Sequence, residues 1–158
     1  MTTETRFAEI RQDGRRLYGV AIRYGDTARL PWGPERFEAG AFGDVANADV
    51  ILNVQHNRGQ PIARTPDTLK LTDTAEMLSI SAELPQTRDA DDVLELVRTG
   101  VLRGLSIEFI PRDEALENKV RVVTRAELTG VGVVDKPAYP ASSVAARHQN
   151  RRRRWIWL

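Results

Sequence analysis

Cysteine is absent from this 158-residue chain, which excludes disulfide staples, thiolate metal sites and a cysteine nucleophile together. Histidine is nearly absent. His56 and His148 are the only two, too few for a metal site built on several imidazoles, and we expect neither metal nor cofactor. No apolar run approaches the ~20 residues of a membrane helix. The polar start Met1-Thr2-Thr3-Glu4-Thr5-Arg6 leads into no signal-peptide core, so a cytoplasmic protein without a membrane partner is the expectation. Excess charge is missing as well: 23 Lys and Arg balance 22 Asp and Glu, leaving the molecule as a whole with no electrostatic pull toward nucleic acid.

What is present suits one soluble domain with a real core. Residues 1–14 read as a lead-in, 15–145 as the domain and 146–158 as a basic tail. That tail, with Arg147, Arg151 to Arg154 and then Trp155 and Trp157, differs from everything before it. It suits a solubilising end or a docking element for a partner or for nucleic acid.

Along the domain, strand signals dominate. Arg15 to Ile22 follows the turn signal Asp13-Gly14, and Val50 to Gln55 is an apolar run of strand length with His56 at its end. Leu69 to Thr72 and Leu78 to Leu84 alternate apolar and polar residues, the period of half-buried antiparallel strands. Leu30 to Gly40, with Pro31, Gly33 and Pro34, reads as a long loop anchored to the core by Phe37 and Phe42. Asn57 to Pro61 reads as a turn. Asp89 to Gly100 is the clear helix, acidic in its first turn, with Arg98 in its last turn and Gly100 as a cap. Leu102 to Ile110 returns to strand, stopped by Pro111. Val120 to Val123 and Ala126 to Val134 close the sheet, and Gly130 and Gly132 mark bulges or close approaches. The fold class is therefore α+β, mainly β with one helix, as a mostly antiparallel rolled sheet or small barrel.

Within this frame Ser106, in Arg103-Gly104-Leu105-Ser106-Ile107-Glu108-Phe109, is a candidate nucleophile. A serine hydroxyl is protonated at neutral pH and needs a neighbouring base. His56, 50 positions upstream, is the candidate.

Four segments in order resemble the phage prohead protease family. They are Phe37 to Phe42; Leu52 to Asn57 with Gln60-Pro61-Ile62-Ala63-Arg64; Gly100 to Phe109; and Val131 to Pro140 with its Pro-Ala ending. The family is similar in fold to the herpesvirus assemblins, which implies a barrel-like β core. The resemblance implies Ser106 as nucleophile and His56 as general base, with a third group orienting the imidazole. In assemblins that group is a second histidine some two dozen positions after the serine. Here Glu127, 21 positions on, is our assignment, with Glu108 and His148 as alternatives. Glu108 stands where the family usually has glycine. In a regular strand it shares a face with Ser106. Arg64 is either structural or in contact with substrate.

The implied activity is endopeptidase cleavage of the scaffolding segment of the major capsid protein, and of the protease itself. It would take place in host cytoplasm inside the immature capsid of an infectious phage, a defective prophage or a gene-transfer particle. A homodimer is a further expectation by analogy with assemblins. The alternatives are a catalytically inactive capsid-assembly module of the same fold, and a small nucleic-acid binder working through Arg151 to Arg154.

Overall fold

The computed structural model describes residues 10–30, 33–135 and 156–157. Pro137 to Ala141, His148 and the arginines from Arg147 to Arg154 lie outside the described residues.

Two sheets carry the core. The first has four antiparallel strands, β1 (Ile10–Asp13), β2 (Arg16–Arg23), β7 (Leu69–Asp73) and β8 (Met77–Glu83), in the order β1-β2-β8-β7. The alternation seen in the sequence sets its faces: Leu78, Ile80 and Ala82 of β8 are buried, whereas Ser79 and Ser81 lie on the other face. Helix α1 (Arg88–Arg98) has Thr87 as its N-cap, accepting from the Ala90 N–H, and acidic residues Asp89 and Asp91 in its first turn. Gly100 follows the helix at φ 79°, the left-handed conformation that ends a helix most cheaply in glycine. Ala90, Val93 and Leu94 are its buried face, with Leu96 and Val97 packed at the margin.

The second sheet is organised by two long strands, β9 (Gly104–Glu117) and β10 (Val120–Val134), paired antiparallel. β3 (Ala28–Leu30) and β4 (Gly33–Phe37) add beyond β10, and the short strand β11 (Ile156–Trp157) adds beyond β9. β5 (Ile51–Val54) also pairs with β10 and carries β6 (Asn57–Arg64). Phe37, Phe42 and Phe109 meet in the core, Phe37 stacking on Phe42 at 5.4 Å and meeting Phe109 edge-on at 5.0 Å.

Three expectations change. The sheets are open rather than closed into a barrel. β10 takes two parallel partners at different heights, β4 along Arg121 to Val123 and β5 along Gly130 to Val133, so the sheet forks. The segment read as a loop contains β4 despite Pro34, because Pro34 pairs only with the outermost strand, β3, and lies outside the β10 register at Glu35 to Phe37. Nor does Pro111 stop β9: it sits opposite Ala126 beside register shifts on either side of Arg125, where a missing N–H is tolerated.

The β4–β10 junction is locked by charge. Glu35 and Arg121 are directly opposite, and the Arg121 guanidinium donates to the buried Glu35 carboxylate at 2.7 Å and to Glu114. Removing one partner of a buried pair leaves an uncompensated charge. Arg121→Ala is expected to lower the unfolding free energy by about 3–5 kcal/mol in urea titration. Arg36→Ala, which breaks the more exposed pair with Glu117, should cost under about 1 kcal/mol.

Candidate active site

The site is assembled on three neighbouring strands, β5, β10 and β9. Gly132 of β10 is opposite Ser106 on β9 and Asn53 on β5; Gly130 is opposite Glu108 and Ile51. Residues level with one another across a sheet project to the same face. Ser106 and Glu108 on one strand thus face two positions without side chains on the next, with the same spacing of two.

A bulge sets this register. Leu128 pairs with Phe109 and Gly130 with Glu108, leaving Thr129 as the extra residue. Its Oγ1 donates to the Glu108 carbonyl at 3.2 Å. Without the bulge, threonine rather than glycine would stand opposite Glu108.

His56 enters from the β5–β6 connection. The segment read as a turn at Asn57 to Pro61 is in fact the start of β6. The turn itself is Gln55-His56, flanked by the paired Val54 and Asn57. Both turn residues have positive φ, 52° and 59°, as a two-residue hairpin of the favoured twist demands. Glycine, asparagine or aspartate normally fills such positions, and a bulky residue there costs of order 1–3 kcal/mol. The turn is held to the end of β10: Gln55 N–H donates to the Val133 carbonyl at 2.9 Å, and Asp135 N–H donates to Gln55 Oε1 at 3.2 Å.

This geometry lays the imidazole over Gly132. A Cβ on that glycine would stand 2.9 Å from His56 Nδ1 and 3.0 Å from its Cε1. The ring therefore lies one strand spacing from Ser106, about 5 Å between backbones. Ser106 itself is fully buried, and its Oγ has no hydrogen-bond partner among the described residues.

Glu108 is the electrostatic centre. Its side chain is 0% exposed, and its carboxylate accepts from Asn53 Nδ2 at 2.8 Å and from Arg58 at 2.6 Å, with His56 Nδ1 at 3.0 Å. A carboxylate only accepts, so this contact suits the His56 tautomer with its proton on Nδ1 and its lone pair on Nε2. Arg58 is 42% exposed and reaches the buried acid from the solvent side.

The candidate residues thus separate. His56 and Glu108 are bonded, and Ser106 is their neighbour across Gly132. Glu127 is not brought to His56: its carboxylate is exposed and engaged by Arg112, beside a surface cleft of about 430 Å³ that also includes Asp44 and Asp49. Arg64 clamps the exposed Asp49 through two hydrogen bonds, at 2.8 and 2.6 Å. Asn53 and Arg58 escaped the reading of the sequence. A lone asparagine inside the apolar run Ile51-Leu52-Asn53-Val54 was the available signal for one, and Arg58 left none.

Serine, histidine and carboxylate are the groups that serine hydrolases combine. The family model described as caudovirus prohead serine protease matches residues 2–153, and the chain belongs to that family. At family level it is a serine peptidase of capsid maturation, acting on capsid proteins inside the immature capsid. Neither a curated protein nor a solved structure gives a match.

The two glycines carry a direct prediction. A methyl group at Gly130 would overlap the Glu108 carboxylate, and one at Gly132 would press on the imidazole. Gly130→Ala and Gly132→Ala should each cost about 1–3 kcal/mol of stability by overpacking. Both should also cut activity far more than Gly59→Ala, whose Cβ would approach only the exposed Asn57 side chain. Urea titration beside a cleavage assay checks both effects.

Proposed function

We propose that this chain is the endopeptidase that cuts the scaffolding segment from the major capsid protein, and cuts itself, with Ser106, His56 and Glu108 as its catalytic group. Ser106 Oγ attacks the scissile carbonyl while His56 Nε2 takes the hydroxyl proton. The tetrahedral intermediate then collapses, and the same proton passes to the leaving amine, giving an acyl-Ser106 ester. Water repeats the sequence: His56 takes its proton, the acyl group leaves as a carboxylic acid, and the proton returns to Ser106. Glu108 holds the imidazole in the required tautomer and stabilises the imidazolium formed in each half-reaction.

The observation that carries this reading is the His56 Nδ1–Glu108 contact at 3.0 Å, made by a fully buried acid two residues from Ser106 on the same strand. Loss of the scaffolding segment cannot be reversed, and confinement in the particle limits the activity to its target. A second reading, an inactive assembly module of the same fold, draws on the complete burial of Ser106 and its unbonded Oγ.

Co-expression with the cognate capsid protein, followed by intact mass, tests both. Wild type should trim the capsid protein, and Ser106→Ala and His56→Ala should leave it whole. Glu108→Gln should slow cleavage about 10³–10⁴-fold, since the amide supports the wrong tautomer. Glu127→Gln should stay within about twofold, because breaking an exposed ion pair changes little. Equal trimming by all variants would overturn the Ser/His assignment. Assembly without trimming by wild type would favour the inactive module.

A further inference from the structure

The strand that bears Ser106 does not end the sheet. β11 lies along its outer side, antiparallel, with Ile156 opposite Phe109 and Trp157 opposite Glu108. Its direction carries it toward Ser106, two residues beyond Glu108. On its inner side β9 is already paired with β10, so this outer side is where a further extended peptide would add its backbone hydrogen bonds. Meanwhile Ser106 is 0% exposed. A nucleophile so enclosed meets a polypeptide carbonyl only after something beside it moves.

We propose that the outer edge of β9 from Ile107 to Ile110 is the docking edge for an extended peptide, and that the chain's own segment Ile156–Trp157 occupies it in cis as a self-inhibitory strand. The meaning of that occupancy for catalysis rests on the proposed role of Ser106; the occupancy itself does not. Two paired residues make a weak clamp, yet a tethered segment acts at an effective concentration on the order of millimolar. A dilute peptide in trans therefore competes poorly, whereas substrate crowded at similar concentration inside a particle competes well. The apparent affinity of any outside strand falls by the fraction of molecules whose edge is open.

The test compares the full chain with its Ile156→Pro/Trp157→Pro variant, which removes the N–H groups of β11. A Gln149→Pro/Asn150→Pro variant serves as control. Hydrogen exchange is followed at the β9 amides that point away from β10, with and without a synthetic peptide spanning residues 150–158. The variant should exchange at these amides at least about tenfold faster than wild type and control, and the peptide should restore protection. The peptide should also bind wild type at least about tenfold more weakly than the variant. Equal exchange in wild type and variant, or equal peptide affinity for both, overturns the proposal. Labelling of Ser106 by a fluorophosphonate separates the two readings. Faster labelling in the variant supports both. An edge that opens and takes the peptide, beside a Ser106 that does not react, keeps the docking inference and removes Ser106 as nucleophile.

Discussion

The buried carboxylate of Glu108 is the constraint around which this molecule is arranged. An ionised acid without access to water costs several kcal/mol unless its oxygens are bonded. Here Asn53, His56 and Arg58 converge on it from two strands and the turn between them. Hydrogen bonds to a charged group are worth about 1.5–3 kcal/mol each, so acid and donors hold one another in place. The same contacts join β9 to the β5–β6 hairpin across the intervening β10. One charge thus serves the packing of the sheet and the orientation of the imidazole.

Room for that charge is made by what β10 omits. Gly130 and Gly132 stand where side chains would displace the carboxylate and the ring, and the bulge at Thr129 brings both into register. The left-handed backbone at Gln55 and His56 adds to this. A histidine in such a turn is strained relative to asparagine or glycine, and strain of this kind persists when the surroundings over-determine it. Two hydrogen bonds from the turn to the end of β10, together with the ring's contact to Glu108, do so.

Much of this was legible in the sequence. The alternation in β7 and β8, the capped helix and the strand preceding His56 follow from local chemistry, and the structure has them within a few residues. The family followed from four segments in order. What failed depended on distant partners. Pro34 and Pro111 read as breakers because proline removes a donor, and only the sheet's layout shows that neither disrupts an inner ladder. The small barrel, one of two readings of the strand signals, is not formed, because local alternation says nothing about one strand accepting two parallel partners. The third member of the site was assigned to Glu127 by its spacing from Ser106. Spacing along a chain carries no information about register: Glu127 pairs with Ile110, and its carboxylate is engaged by Arg112. The contact that His56 does make had its own signal: Glu108 two residues after Ser106, and two glycines with the same spacing on the partner strand.

If Glu108 orients the imidazole, it also decides which nitrogen of His56 holds the proton. With His148 as the only other histidine, nitrogen NMR of the full chain at neutral pH resolves two imidazoles, and a His148→Gln variant assigns them. The neutral His56 ring is expected to carry its proton on Nδ1, with the lone pair on Nε2, and this preference should disappear in Glu108→Gln but persist in Glu127→Gln. A His56 ring protonated on Nε2, or one indifferent to Glu108, would contradict it.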